Sequence, residues 1–226
     1  LIRPRFAYLS PYLKQSKSVA WDYLRAAMSP LRALGAEVNE SELRVDYHNG
    51  GQVRLYGADN AEALRGIYLD GVVLDEYGDM DPRVYPEIIR PALSDRGGWA
   101  VFIGTPKGKN QFHQTYRQSL GFDPRTGVFD QSLKDRWFSL MLRASETGLV
   151  STDELQLAHR DMSDNQYAQE YECSFEAPVK GAYWGDLLVA AHDRIGRIAA
   201  DPLLPLRAFI DIGGAGRNAD AFCIFI

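Results

Sequence analysis

The chain of 226 residues lacks the features that mark several large classes of protein. Its two cysteines, Cys173 and Cys223, are too few for a disulfide framework or a cysteine-bound metal, and so few thiols are typical of a reducing cytoplasm. No apolar run approaches the ~20 residues that a helix needs to cross a bilayer. The sequence therefore argues against secreted disulfide scaffolds and against membrane-spanning helices.

An excess of basic charge is also missing. The chain has 25 lysines and arginines against 30 aspartates and glutamates, which gives a formal net charge of -5. A protein that coats DNA usually carries a strong basic excess, so any nucleic-acid contact is expected to be local. The four histidines are scattered without the spacing of metal ligands.

Short apolar runs alternate with helical patterns over most of the chain, which predicts a mostly parallel α/β sheet. Strands are expected at residues 6–9, 71–74, 99–103 and 137–142, with a hairpin over 43–55. Helices are expected at 20–34 (kinked or split at Pro30), after an Asp81 N-cap, at 111–120, and after the capping residues Ser151 and Ser163.

The pattern breaks at residues 178–183, so we divide the chain into residues 1–180 and 181–226. The second part opens with predicted strands at 206–212 and 222–226. Between them, residues 214–219 imitate a dinucleotide-binding fingerprint, but that motif requires a helix where a strand is predicted. We therefore expect the first strands of a different domain.

Two consecutive carboxylates, Asp75 and Glu76, end the apolar run at residues 72–74. The carboxyl end of a parallel strand is where α/β sheets bind ligands. One carboxylate there can hold Mg²⁺ and the next can activate water, a division of labour that suits phosphoryl transfer. The alternative is a solvated acidic turn.

Two further residues could belong to the same site. Thr105 follows the next predicted strand, and its hydroxyl could bond the catalytic water or a phosphate; alternatively it caps the following segment. Arg65 precedes the carboxylate strand by about ten residues and could stabilise a phosphate, of its own or a neighbouring subunit, or simply pair with Glu62 or Asp59.

Together these motifs resemble the large terminase subunit of tailed bacteriophages. The resemblance covers nearly the whole chain, and its order and spacing are more specific than any single motif. It is carried by these segments: residues 10–22 with Ser10-Pro11-Tyr12 and Trp21-Asp22, residues 58–66, residues 72–76, residues 104–110, residues 143–148 and residues 169–175.

The resemblance implies a RecA-like P-loop NTPase sheet followed by the first strands of an RNase H-like nuclease. Asp75 would be the Mg²⁺ carboxylate of the Walker B motif and Glu76 the catalytic glutamate, with ATP as substrate. Arg65 would act on a neighbouring subunit's ATP, and Thr105 would fall in the coupling motif. Asp211 would match the first nuclease carboxylate, which binds Mg²⁺ or Mn²⁺.

The same resemblance implies the setting in which the protein works. It implies a homo-oligomeric ring on the procapsid, in the host bacterial cytoplasm, that packages double-stranded DNA and cuts concatemers with a portal protein and a small terminase subunit. No membrane partner is expected. Lys107 and Lys109 could contact DNA or nucleotide, although a solvated loop is the simpler explanation.

Two parts of the family pattern are missing from the sequence. It contains no Gly-x-x-x-x-Gly-Lys-Ser/Thr, and the nearest imitation, residues 104–110, has short glycine spacing and ends in Asn110. We expect the phosphate loop upstream of Leu1 and further nuclease carboxylates beyond Ile226, and Asp220 could be a second carboxylate within the chain. A fragment of this kind should hydrolyse ATP poorly on its own.

Two other functions remain open from the sequence. A helicase-like or recombination ATPase could use the same carboxylate strand, but it would need basic motifs in a second RecA-like lobe. A non-catalytic adaptor could keep the fold without a phosphate loop, and the sequence upstream of Leu1 distinguishes these possibilities.

Overall fold

The computed structural model describes residues 3–176, 209–211 and 223–225. The chain divides into two compact units, Leu1–Lys180 and Gly181–Ile226. Within the described residues, no helix is both long and apolar enough to cross a membrane.

The first unit is built on a six-stranded sheet in the order β2-β3-β4-β1-β5-β6. The strands are β1 (Arg5–Ser10), β2 (Glu37–Asn39), β3 (Arg44–Asp46), β4 (Gln52–Gly57), β5 (Gly71–Leu74) and β6 (Trp99–Phe102). The neighbours β4, β1, β5 and β6 run parallel, whereas β2, β3 and β4 pair antiparallel. The predicted mostly parallel α/β sheet is confirmed, and so is the hairpin at residues 43–55.

Helical segments connect these strands. The α-helices are α1 (Leu13–Ser16), α2 (Asp22–Met28), α3 (Arg90–Ser94), α4 (Gln111–Ser119), α5 (Gln131–Lys134), α6 (Ala144–Thr147), α7 (Thr152–Asp161) and α8 (Asp164–Glu170). Two π-helical segments, Lys17–Trp21 and Val84–Ile89, precede α2 and α3. The segments Ser29–Leu34, Ala58–Leu64 and Tyr77–Asp79 are 3₁₀ helices, the first of them at the predicted Pro30 break.

The two faces of the sheet are covered to different extents. What we call the first face carries Leu9, Val72 and Leu74, which pack with Leu64 and Ile89 in the larger core. Because side chains alternate along a strand, Tyr8, Leu55 and Val73 belong to the second face. There the helices α1 and α2 and the segment between them cover β1 and β4, with Trp21 and Leu24 packed against Leu55 and Tyr8.

The second face is open over β6, which is also an edge strand. Trp99, Val101 and Ile103 are 51%, 41% and 48% exposed. Trp99 also lines an apolar groove of about 380 Å³ with Phe6 and Val73. Large apolar side chains along an edge that pairs with no further described strand are typical of a surface that packs against another element.

Two local predictions are wrong. Residues 137–142 form no strand: Trp137 packs on Phe102 at 5.9 Å between ring centroids, but Phe138 is 84% exposed and no described strand pairs with the segment. The helix expected to follow an Asp81 cap begins instead at Val84. The side chain of Asp81 accepts the N–H of Arg83 (3.0 Å) and its carbonyl accepts that of Val84 (3.0 Å), which closes a turn first.

The other helix predictions are confirmed. Asn110 caps α4, and Ser151 caps α7 by accepting the N–H of Glu154. Ser163 caps α8 in a complete capping box with Gln166.

The second unit is described only at β7 (Phe209–Asp211) and β8 (Cys223–Phe225), which pair antiparallel with Asp211 opposite Cys223. The imitation fingerprint at residues 214–219 and Asp220 lie outside the described residues, but the element that follows them is a strand, as predicted.

Candidate active site

Asp75 lies just beyond β5, between the carboxyl ends of the central parallel strands. Its backbone N–H donates to the carbonyl of Leu9 (2.8 Å), which continues the pairing with β1. One carboxylate oxygen accepts a short hydrogen bond from the Tyr8 hydroxyl, and the other accepts the N–H of Glu76 at 3.1 Å. Both oxygens are therefore oriented, on the side of the sheet to which Tyr8 belongs.

Glu76 has an unusual backbone conformation. Its φ of 52° and ψ of 44° place it in the left-handed region, which costs a non-glycine residue about 1–3 kcal/mol. This conformation breaks the alternation of the strand at the second carboxylate. Such strain is often found at functional sites, where the surrounding structure holds it in place.

The ends of β5 and β6 hold this strained residue in place. The N–H of Ile103 donates to the carbonyl of Leu74 (2.9 Å), and the N–H of Tyr77 donates to that of Ile103 (3.0 Å). A Cβ added to Gly104 would lie 3.3 Å from the Cα of Glu76, so glycine permits this close approach. The adjacency of the two strand ends, and hence of Glu76 and the Gly104-Thr105 segment, follows the sequence prediction.

The environment of Glu76 favours its neutral form. Partial burial raises the pKa of Glu76, the nearby charge of Asp75 raises it further, and Lys107 opposes the shift. Lys107 is itself ion-paired with Asp79, a contact that raises the lysine pKa. Lys107 therefore lies by the carboxylate pair, whereas Lys109 pairs with Glu176 at 2.7 Å.

Sequence reasoning missed three residues at this site. Tyr8 was unrecognised because its contact depends on the pairing of β1 with β5, which are separated in the chain by β2, β3 and β4. Asn110 and Gln111 were also missed. Their amide groups donate to carbonyls of the turn after Glu76, Asn110 to Gly78 (3.1 Å) and Gln111 to Tyr77 (2.9 Å) and Met80 (2.8 Å).

Arg65 lies apart from the carboxylates in the contacts it makes. It follows the 3₁₀ helix Ala58–Leu64, is exposed, and pairs with Glu62. It also donates to the carbonyl of Glu87 at 3.4 Å. An exposed pair of this kind contributes little to stability and can exchange for another anion.

The carboxylates suit a metal that is only partly held by protein. Within residues 3–176, 209–211 and 223–225, no three His, Cys, Asp or Glu side chains are grouped closely enough to hold a metal ion. Mg²⁺ commonly binds through one or two carboxylates, with water and substrate phosphates as its other ligands. The oriented oxygens of Asp75 fit that role. For Asp211, only the backbone position in β7 is described.

Comparison with known proteins agrees with this geometry. No protein-family model matches the chain. The large terminase subunit of Thermus phage G20c is 29% identical over 169 residues, and that of Escherichia phage T5 is 24% identical over 160 residues. This chain is similar to large terminase subunits. The alignments cover 72% and 70% of the chain but only 35% and 34% of the relatives, so the chain spans about a third of their length.

Solved terminases share the fold. The ATPase domain of the Thermus phage P74-26 large terminase superimposes with a TM-score of 0.62 at 22% identity, covering 76% of each chain. The large terminase of a thermophilic bacteriophage, in complex with ADP, gives a TM-score of 0.55 at 14% identity, covering 77% of this chain and 41% of that one. The predicted RecA-like terminase fold of the first unit is thus confirmed.

Proposed function

We propose that this chain is part of a large terminase subunit that hydrolyses ATP to drive double-stranded DNA of a tailed phage or prophage into a procapsid. The observation that carries the proposal is the pair Asp75 and Glu76, held in strained and hydrogen-bonded geometry at the carboxyl end of a terminase-like sheet. The ADP complex of the thermophilic-phage terminase supports a nucleotide as the ligand.

The chain's own residues take distinct roles in this proposal. Bound Mg²⁺ would neutralise phosphate charge, and Asp75 would hold it, directly or through water. Glu76 would orient the attacking water and accept its proton. A raised carboxyl pKa makes Glu76 a stronger base than an ordinary glutamate, while the strained backbone fixes where its side chain begins.

The exposed side of β6 supports a phosphate loop contributed from upstream. The connections from β4 to β5 and from β5 to β6 advance across the sheet toward β6, and they pack on the first face. The connection from β1 to β4 advances toward the opposite edge, and its helices α1 and α2 pack on the second face. Right-handed crossovers require this pattern. A strand beside β6 that led through a helix to β1 would therefore place that helix over the exposed Trp99 and Val101.

Other parts of the proposal concern assembly. The exposed Arg65, held by a surface ion pair, suits a finger that reaches the ATP of a neighbouring subunit in a homo-oligomeric ring. Thr105 follows Gly104, which lies against the Glu76 backbone, and it suits a group that couples hydrolysis to movement. Portal protein, small terminase subunit and the host bacterial cytoplasm complete the setting.

We further propose that residues 181–226 begin an RNase H-like, Mg²⁺- or Mn²⁺-dependent nuclease that cuts concatemeric DNA. The support is the antiparallel pairing of β7 with β8, which puts Asp211 on a strand of a two-stranded sheet. A two-metal site would need further carboxylates near Asp211.

The test is DNA-stimulated ATP hydrolysis by the complete subunit, with Glu76→Gln as the variant. We expect the rate to fall by about 10²-fold or more, because the base is lost while the side-chain shape is kept. Glu37→Gln, an exposed carboxylate on β2, is the matched control. Nucleotide binding without Glu76-dependent hydrolysis would favour the adaptor function, and robust Glu76-dependent hydrolysis by residues 1–226 alone would refute an upstream phosphate loop.

A further inference from the structure

A polar pocket lies on the first face of the sheet, toward the amino ends of its strands and away from Asp75. Its volume is about 280 Å³. Its polar lining comes from Arg5 on β1 and from Gln52, Arg54 and Tyr56 on β4. Arg5 is in register with Gln52, and the residues of β4 alternate so that all three of them share one face.

The two arginines of this pocket are poorly neutralised. Among the described residues, the guanidinium of Arg5 forms no ion pair. Arg54 lies 3.4 Å from a carboxylate oxygen of Glu42, but that oxygen is also paired with Arg44. The Nε of Arg54 is buried and has no hydrogen-bond partner in the part of the chain that the structure describes. A buried donor of this kind is normally satisfied, so this guanidinium still has an unused hydrogen-bond donor.

The Tyr56 hydroxyl lies within reach of the same charges. Burial raises the pKa of Tyr56; the guanidinium groups of Arg54, Arg5 and Arg44 each oppose that shift, and Glu42 adds to it least of all. The three cations together outweigh Glu42 at this oxygen, and they would favour an anion beside it.

Positive charge continues beyond the pocket along the amino end of the sheet. The guanidinium carbons of Arg5 and Arg96 lie 4.6 and 4.2 Å from the centre of the Tyr68 ring. Arg3 packs over Gly50, at the turn that leads into β4. Like Arg5, neither Arg3 nor Arg96 forms an ion pair within the described part of the chain.

We propose that this pocket binds a phosphate group of the DNA backbone, with Arg5, Gln52, Arg54 and Tyr56 as its donors. Arginine suits phosphate because its planar fork donates two parallel hydrogen bonds. We favour DNA over a free phosphate or nucleotide because Arg3 and Arg96 extend the charge past the reach of one phosphate. The identification of DNA rests on the proposed packaging function; the anion site itself does not.

The test is binding of a fluorescent 20-base-pair duplex to the 226-residue chain, measured by anisotropy over a series of salt concentrations. The variant is Arg5→Gln with Arg54→Gln. The matched control, Arg32→Gln with Arg160→Gln, removes the same charge from two exposed arginines that form no ion pair among the described residues. Circular dichroism establishes that each variant is folded.

We expect the pocket variant to lose about tenfold or more in affinity at ~50 mM salt, and its log–log salt slope to fall by about 1, since each neutralised phosphate contributes ~0.9. The control should keep the wild-type slope. Equal slopes in both variants, or no duplex binding by the wild-type chain, would overturn the proposal.

A competition arm separates the possible sources of phosphate. Inorganic phosphate and ADP are each tested as competitors of the duplex. If either binds the wild-type chain in a way that requires Arg54 but leaves duplex binding unchanged, the pocket is a free-phosphate site and the DNA assignment is refuted. Because none of these measurements uses hydrolysis, their failure is distinguishable from failure of the proposed ATPase.

Discussion

At the carboxyl end of the six-stranded sheet, Asp75 and Glu76 lie side by side, with the oxygens of Asp75 fixed by hydrogen bonds from Tyr8 and from the backbone. At the amino end, Arg5 and Arg54 line a pocket in which one donor is buried and unsatisfied. Each end gathers like charges that repel one another, and neither neutralises them fully from within. A cluster of charges of one sign suits a ligand of the opposite sign, which would be a cation at the carboxyl end and a phosphate at the amino end.

The largest expected effect tests whether the chemistry is confined to the carboxyl end. Asp75→Asn in the complete subunit should lower ATP hydrolysis by about 10²- to 10³-fold, because the amide would not supply the charge with which Asp75 is proposed to hold Mg²⁺. Asp70→Asn makes the same change at the amino end, where the carboxylate accepts the N–H of Arg5 at 2.8 Å. Steady-state rates of ATP hydrolysis over a series of Mg²⁺ concentrations should differ between the two variants. Equal losses in both would contradict a chemical role confined to the carboxyl end.

A smaller effect concerns the side chain that orients Asp75. Tyr8→Phe should destabilise the chain by about 1–2 kcal/mol, because one carboxylate oxygen loses its partly buried donor. The matched change at the amino end, Tyr68→Phe, removes an exposed hydroxyl that donates to the carbonyl of Arg3 at 3.1 Å, and it should cost less. Urea unfolding of the 226-residue chain measures both; a larger loss for Tyr68→Phe would contradict the assignment of Tyr8.

The backbone strain at Glu76 predicts a gain in stability when the residue is changed. Glu76→Gly should raise the free energy of unfolding by about 1 kcal/mol relative to Glu76→Ala, because glycine adopts the left-handed conformation without strain. Both variants lack the carboxylate, so their difference isolates the backbone. If the alanine variant were as stable as the glycine variant, the conformation would not be strained.

The smallest effect is a dependence of stability on pH. Since folding raises the Glu76 pKa, the folded state binds more protons than the unfolded state between the two pKa values, and stability falls as pH rises through that window. Glu76→Gln should therefore be more stable than wild type at pH 7, with the advantage vanishing below the unfolded pKa of ~4.3. Urea titrations at both pH values, with Glu37→Gln as the control, should show a gain for Glu76→Gln alone. A gain of equal size at pH ~4 would refute the assignment.

Much of this site could be predicted from sequence because it depends on short segments. The apolar runs before Asp75 and before Gly104 specify strands by themselves, and a helix between consecutive parallel strands makes them neighbours. The remaining features depend on contacts between distant segments. The contact of Tyr8 with Asp75 follows from β1 lying between β4 and β5, an order that no local pattern encodes.

The incorrect prediction of a strand at residues 137–142 has the same cause, because pairing depends on contacts between distant segments. Its alternation satisfies the local rule, but a strand also needs a neighbour with which to pair, and none is described beside it. The pocket at Arg5 and Arg54 was likewise invisible, because the two arginines lie about fifty residues apart and meet only through the register of β1 with β4.

The amide of Gln111 has a mechanical consequence. It ties the turn that begins at Glu76 to the first residue of α4, and Asn110 both caps that helix and bonds the same turn. Farther along α4, the ring of Tyr116 stacks on Phe175 at 5.4 Å. The turn, α4 and Phe175 are thus joined by a continuous series of contacts that starts next to the strained residue. We expect a change in the Glu76 backbone to be transmitted through these contacts to α4 and Phe175.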